Sequence, residues 1–413
     1  MKTRKTLLAA GIAMIAASLP TLANDVVRVS GWGGDNVVVV NTLINEVLVD
    51  ELAAAGITVR YEPVEGDFAQ ILTNALSAGT APDVFYVDSF WAYPVFQSGK
   101  IDPVSDDNMA IADELIPSLN EAFMHNGQLM GIAKDFNTLA VQYDLDVFDD
   151  AGVEPPNEDD DWNSFKSKLQ QVQSNLDDVY GLCVVPDYAR FAAFALATGW
   201  KPFNDEGHTV LDDRFREAFE FYVNLVDDGA AVLATDLGQG WTGGCFGNGD
   251  TAVAIEGAWM IGFLRDQAPN MYYSTTSIPK HPETGDRGNL VFTVSWSVAT
   301  DSKVKDSAHT LVGLLTSPKA QQWVLESGLA LPSLEALGDN AYFQEDNRES
   351  ITSRVVFEGA SNGQVEPFQF AQYGGDWKAI VDEALSAALL KERTIDDAIA
   401  FAQQRYDRLT GRQ

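Results

Sequence analysis

The sequence predicts an α/β protein whose strands and helices alternate into wound, largely parallel sheets, divided over two or more domains. Three observations carry that reading. Short β-branched or aromatic runs alternate with segments whose apolar residues recur every three or four positions, which is the pattern of a wound sheet. The chain has 413 residues, more than one ordinary domain needs. Its apolar content is 46% and its aromatic content 10%, enough for packed cores and contrary to disorder.

The N-terminus reads as an export leader. Lys2, Arg4 and Lys5 form a cationic head, Leu7 to Leu19 is nearly all apolar or small, and Pro20 breaks the run. Thr21-Leu22-Ala23 then puts small residues three before and one before a cut after Ala23. The alternative is a membrane anchor, but the apolar run is about thirteen residues against the ~20 that a spanning helix needs. No Cys stands at the cut to carry a lipid, and no later stretch is long and apolar enough to span. The expectation is a mature, exported chain that begins near Asn24 and stays free of the membrane, in the periplasm.

Elements follow in order. Val26-Val27-Arg28-Val29-Ser30 is a first strand, closed by Gly31-Trp32-Gly33-Gly34-Asp35, and a helix is expected from about Val37 to Ala55. Ile57 to Tyr61 alternates as a second strand. Asp67 to Ser77 is helical, with Phe68, Ile71, Leu72 and Leu76 on one face. A turn through Pro82 leads into a third, apolar strand, Asp83 to Asp88. Ligands of wound sheets bind beyond the carboxyl ends of the strands, which draws attention to Trp32–Asp35 and Asp88–Trp91. Further on, Leu139 to Tyr143 is a strand, Glu154 to Trp162 an exposed Pro- and Asp-rich connection, Phe165 to Leu176 a helix and Tyr180 to Val185 a strand. Phe215 to Val226 is an amphipathic helix, and a Gly-rich loop from Gly238 to Gly249 precedes the strand Thr251 to Ile255. Val291 to Ala299 is strand-like, and the chain closes in helices over Ala308–Leu315, Ala320–Glu326, Asp376–Leu390 and Ile395–Leu409.

Charge and motifs narrow the function. Net charge is -33, and about -36 once Lys2, Arg4 and Lys5 leave with the leader. Nucleic acid is therefore an unsuitable partner, since phosphate binding needs a basic surface. The acids run along the whole chain, so they read as a solvated surface before they read as a cation site. His125, His208, His281 and His309 lack metal-type spacing, and no HExxH, CxxC, Gly-x-Ser-x-Gly or phosphate-loop pattern occurs. No metal or cofactor is expected. Tyr272-Tyr273 reads as two faces of one strand rather than as paired phenolate ligands. Cys183 and Cys245 are the two cysteines, and in an oxidising compartment a single pair is expected to be bridged.

Six segments, taken in order, resemble one family. Phe68 to Val104 reads FAQILTNALSAGTAPDVFYVDSFWAYPVFQSGKIDPV, Gly127 to Pro156 reads GQLMGIAKDFNTLAVQYDLDVFDDAGVEPP, and Trp162 to Phe165 begins a tryptophan-led helix. Phe246 to Ile261 reads FGNGDTAVAIEGAWMI, with Val253 where a Met is usual. Ser302 to Ser333 ends in Leu-Pro-Ser, and RTIDDAIAFAQQRYDRL closes the chain. Together these resemble the sugar-binding receptors of ABC importers, the extracellular solute-binding family that includes maltose-binding protein. The resemblance implies two wound α/β lobes joined by a multi-crossing hinge, the type II periplasmic binding protein architecture. It divides the chain into residues 24–134 with 292–338, and 135–291 with 339–413, with hinge motion near Ala133–Asp135 and Val291–Trp296. It also implies a monomeric receptor, not an enzyme, that hands a small sugar to a membrane permease.

A pyranose needs fixed polar groups at its rim and flat apolar walls at its faces. Carried over residue by residue, the resemblance points to Trp32, Gly33 and Asp35 after the first strand, and to Asp88 and Trp91 after the third. It further points to Asp135 and Asn137 on the way into the second lobe, to Asp187 and Arg190, to Trp259 and Trp296, and to Tyr373 and Trp377. Asp35 could instead cap a helix, and Trp259, Trp296 and Trp377 could instead be core. A receptor for a polyamine and a secreted glycoside hydrolase are the alternatives. N-terminal sequencing of protein recovered from an exporting host should begin at Asn24; an intact leader on the secreted protein would contradict the assignment.

Overall fold

The computed structural model describes residues 24–33, 35–326 and 330–412. The leader expected at 1–23 and the side chain of Asp35 lie outside the described residues. In chain order the strands are β1 (Asp25–Trp32), β2 (Ile57–Val64), β3 (Val84–Asp88), β4 (Ile101–Asp102), β5 (Met124–His125), β6 (Gln128–Leu129) and β7 (Ile132–Asn137). They continue with β8 (Ala140–Asp144), β9 (Tyr180–Val184), β10 (Ala231–Leu233), β11 (Thr251–Glu256), β12 (Tyr273–Thr276), β13 (Gly288–Ala299) and β14 (Gln364–Pro367).

Two large sheets result, each with its own core, beside a small two-stranded β5–β6 sheet. The first runs β14-β13-β3-β1-β2, with β4 and β7 also paired to β13; the second runs β10-β9-β11-β8-β12. Pairing is parallel for β1 with β2 and β3, and for β9 with β10 and β11. It is antiparallel where β13 meets β3 and β7, and where β8 meets β11 and β12, so each sheet is mixed rather than wholly parallel. β3 is buried over Val84–Val87, as its unbroken apolar run requires of a central strand. In the second core, the helix Asp213–Asp227 buries Phe215, Ala218, Phe219 and Tyr222, one stripe at helical spacing, behind an Asp212 cap. Among the described residues no helix is long and apolar enough to cross a membrane.

Expectation and structure differ at four places. The helix expected over 37–55 is divided: Asp35–Thr42 and Val49–Ala54 flank a widened turn, where Leu48 N bonds Leu43 O at 2.9 Å. Four consecutive valines crowd the preceding turn and hold it poorly as a regular helix. The connection 154–162 is anchored rather than free, because Asp160 accepts from Lys168 Nζ at 2.7 Å and Ser164 Oγ at 2.8 Å, and Trp162 is buried. The Gly-rich loop contains a short helix, Thr242–Gly247. Residues from 339 on were expected with the second lobe, yet Phe343, Val356 and Ala360 pack in the first core.

The chain passes between the sheets at Thr138–Leu139, at 277–287 and at 368–373. This differs from the hinge expected near Ala133–Asp135 and Val291–Trp296, where Asp135 and Ala133 pair with Val294 and Ser295 inside the first sheet. The first passage is held by a side chain that imitates a strand. Asn289 Nδ2 donates to Leu139 O at 2.8 Å, and its Oδ1 accepts from Leu139 N at 2.9 Å. Thr138 Oγ1 donates to Val356 O at 2.6 Å, and a Cβ on Gly359 would stand 2.4 Å from Thr138 Oγ1, so only glycine fits there. The expected bridge Cys183–Cys245 is present within the second lobe and closes a sequence separation of 62. Loop closure of that length is worth about 4 kcal/mol in the chain-entropy view.

Asn289→Ala would leave a buried amide and carbonyl of Leu139 unpaired. We expect a loss of roughly 2–4 kcal/mol, read as a lower urea midpoint at unchanged slope; an unchanged midpoint would show that the passage is held by other contacts.

Candidate functional site

Most of the candidate residues lie at or just beyond the carboxyl ends of β1, β3, β9 and β11. An aromatic row forms the floor between them. Trp259 meets Phe292 at 5.6 Å between ring centroids, Phe292 meets Phe368 at 5.0 Å, and Phe368 stacks on Phe90 at 5.2 Å. All four rings are half-buried, so each keeps part of its surface toward solvent.

On the first-lobe side, Trp32 and Trp91 both lie edge-on to Phe68, at 6.0 and 6.2 Å. Both stay half-buried. Gly33 lies beneath Glu65, and a Cβ there would fall 1.9 Å from Glu65 Oε1. The β7–β13 register slips between Val294 and Ser295, pairing them with Asp135 and Ala133 and leaving Lys134 as the extra residue. Such a bulge re-aims side chains at the edge of a site. Lys134 pairs with Asp135, and its ammonium stands 4.7 Å over the Tyr86 ring. Asp88 accepts from Phe90 N at 2.8 Å. Burial, helped by the Asp135 charge and opposed by that backbone bond, pushes its carboxyl up to about 6.

On the second-lobe side, Glu256 organises the site. Its strand is otherwise Thr-Ala-Val-Ala-Ile, and its carboxylate is 0% exposed. It receives Arg190 Nη2, Trp259 Nε1 at 3.0 Å, Thr242 Oγ1 at 2.6 Å and Gly243 N at 3.3 Å. Arg190 Nη1 bonds Asp187 at 2.8 Å, Lys378 reaches both Asp187 and Asp382, and Asp382 accepts from Tyr188 N at 2.7 Å. Burial works to raise the Asp187 carboxyl, but Lys378 and Arg190 hold it below the usual range. Burial also works against the Arg190 guanidinium, which Glu256 and Asp187 nonetheless keep firmly charged. Asn137 Oδ1 accepts from Ala258 N at 2.8 Å and so fixes the turn before Trp259. The Trp259 indole folds back over Gly257, where a Cβ would stand 2.5 Å from Trp259 Cζ3.

The structure thus brings Asp187, Arg190, Asn137 and Trp259 together, sets Asp88 near Asp135, and places Trp32 with Trp91. It removes two candidates. Trp296 is 3% exposed and packs on Tyr86 at 4.4 Å, inside the first core. Trp377 is 0% exposed, stacks on Phe370 at 4.5 Å and donates to Thr209 Oγ1 at 2.7 Å, inside the second. Both were expected at a cleft, but the side chain of each is enclosed by the core around it. Tyr373 stacks on Phe203 at 6.0 Å and touches none of the cluster around Glu256 in that contact. Sequence reasoning missed Glu256, Lys134, Lys378, Phe90, Phe292 and Phe368. Glu256 had a readable signal, a lone carboxylate ending an apolar strand.

Residues 50–348 match the family model described as bacterial extracellular solute-binding protein. A binding protein of Brucella abortus is 25% identical over 273 residues, 63% of this chain and 64% of that protein. The diacetylchitobiose binding protein of Streptomyces coelicolor is 24% identical over 66% of this chain and 65% of its own length. The chain therefore spans about two thirds, or slightly less, of the curated relatives it matches. Among solved structures, the cyclic α-maltosyl-1,6-maltose binding protein of Arthrobacter globiformis superposes with a TM-score of 0.79 at 20% identity, over 94% of this chain and 100% of that one. The likeness establishes a shared two-lobed fold.

The raised Asp88 carboxyl makes folding take up a proton between about pH 4 and 6, so stability falls as pH rises through that window. Above it, ionised Asp88 costs of order 2–3 kcal/mol. Asp88→Asn should flatten that fall and raise the urea midpoint at pH 7.5; a variant with the parent's pH profile would contradict the assignment.

Proposed function

The chain belongs to the bacterial extracellular solute-binding proteins, and on that premise we propose that it is the exported receptor of an ABC importer for a mono- or disaccharide. A glucose-, maltose- or trehalose-like α-glucoside is favoured. The receptor works as a monomer in the periplasm, closes its lobes on the sugar and presents it to the membrane permease. Trp32, Gly33, Asp88, Trp91, Asp135, Asn137, Asp187, Arg190 and Trp259 are assigned to its site, joined by Lys134 and the floor residues Phe90, Phe292 and Phe368.

One observation carries this reading: a half-exposed aromatic row runs between two sets of charged strand ends. Sugar faces stack on such rings, while carboxylates and a guanidinium bond the rim hydroxyls. The names of the relatives, binders of diacetylchitobiose and of a cyclic maltosyl sugar, agree with it. Closure would turn on the passages pinned by Asn289, since hinges of this kind absorb motion at a few positions between rigid bodies. The polyamine reading is weaker, because Asp187, Asp382 and Asp135 already have internal cations. Glycoside hydrolysis needs two carboxyls poised at the scissile bond, and Glu256 is fully engaged behind Trp259 and Arg190.

A thermal-shift screen against sugars and spermidine tests the class, since a ligand that binds only the native state raises the melting point. Within it, Trp259→Ala should weaken sugar binding by about thirtyfold or more, near 2 kcal/mol. Trp259→Phe should recover much of that loss by restoring a ring face. Stabilisation by spermidine and by no sugar would replace this reading with the cationic one.

A further inference from the structure

Beside the proposed sugar site lies a cavity of about 440 Å³ that the reading above leaves unused. It opens at the carboxyl ends of β9 and β10, between the segment 184–187, the segment 239–241 and the end of the helix Gly374–Leu389. We propose that this cavity takes an apolar aglycone, an aryl or alkyl group joined to the sugar, rather than a further sugar unit. The proposal rests on the sugar-receptor reading and names its substrate class.

Three features argue for it. The first is the chemistry of the walls. Val184, Val185, Pro186, Leu233, Leu389 and Leu390 line the cavity. Asp187, Thr235, Gln239 and Ser386 also edge the cavity, but a pyranose pushed against the apolar walls would leave the hydroxyls on that side without partners, and each buried unpaired hydroxyl is costly. A phenyl or alkyl group has no such groups and gains from the same contact. Leu390 is 54% exposed at the rim, an apolar side chain left facing the opening. The indole of Trp241 supplies a flat wall, folded so closely over Gly243 that a Cβ there would lie 2.2 Å from Trp241 Cζ3. The cavity is also ample, since a hydrophobic void of about 150 Å³ can hold a benzene.

The second is an unpaired donor at the inner edge. Arg190 lines the cavity and stands 6.0 Å from the Trp259 ring centroid, so it marks the border with the sugar site. Its Nη atoms serve Asp187 and Glu256, but its Nε is buried and has no acceptor among the described residues. A glycosidic oxygen accepts a hydrogen bond and has no hydrogen to donate, so one donor at the border suits the joint between a sugar and its aglycone. The third is rigidity. Val185 and Ala234, both in the lining, pack around the Cys183–Cys245 bridge in one buried cluster, so the floor is preformed.

Isothermal titration of the mature protein with methyl, phenyl and octyl α-D-glucopyranoside and with maltose tests the proposal. The phenyl and octyl glucosides should bind at least tenfold more tightly than the methyl glucoside, the gain expected for burying one such group. Leu390→Asp, at an exposed position, and Trp241→Ala should each shrink that ratio. Equal affinity for methyl and phenyl glucosides overturns the aglycone pocket and leaves the receptor reading standing. So does a maltose advantage that falls in Leu390→Asp, because the cavity would then be a sugar subsite. Binding of none of the four overturns the glucoside reading itself, and the pocket with it.

Discussion

A carboxylate sealed into an apolar strand end governs the second lobe. Glu256 has no contact with solvent, and a charge so placed is tolerated only when countercharge and donors surround it. Arg190 supplies the countercharge, Trp259, Thr242 and Gly243 the remaining donors. Arg190 in turn needs Asp187, and Asp187 needs Lys378, which carries the network to Asp382. One buried anion thus sets the pose of a guanidinium, the plane of an indole and the placement of two helices. The Trp259 Nε1–H is consumed by this bond, so the indole has a ring face and no free N–H to offer.

The first lobe solves a different problem, that of turning backbone geometry into a site. The bulge at Lys134 places Lys134 and Asp135 together at the strand edge beside Tyr86. Asp88, at the end of the neighbouring strand β3, keeps a raised carboxyl because no cation of its own reaches it in a hydrogen bond. The two lobes meet through Phe90, Phe368, Phe292 and Trp259, and the joint is braced by the Asn289 amide standing in for a strand partner. An amide brace of this kind restrains the crossing without an extended sheet bridging the lobes. The glycines at 257 and 359 serve the same joint, since a methyl group at either would strike Trp259 or Thr138.

By itself the sequence determined the α/β class, most strands and helices, the disulfide pair and the family, because these follow from local periodicity, from two cysteines without rivals and from ordered short motifs. It also pointed to the strand ends around Trp32 and Asp88, since the carboxyl ends of wound strands are where such folds bind, and the family resemblance pointed to Asp187, Arg190 and Trp259. Only the tertiary structure decided that Trp296 and Trp377 are core and that Phe90, Phe292 and Phe368 are floor. It also decided that the passage between lobes falls at Thr138–Leu139 rather than a few residues earlier. An aromatic residue reads alike in sequence whether it is covered on two sides or one, and a bulge or an amide brace leaves no periodic trace. Burial is a property of what packs from distant parts of the chain, and here such parts lie far apart, as with Ser89 and its partner Phe368, 279 residues from one another.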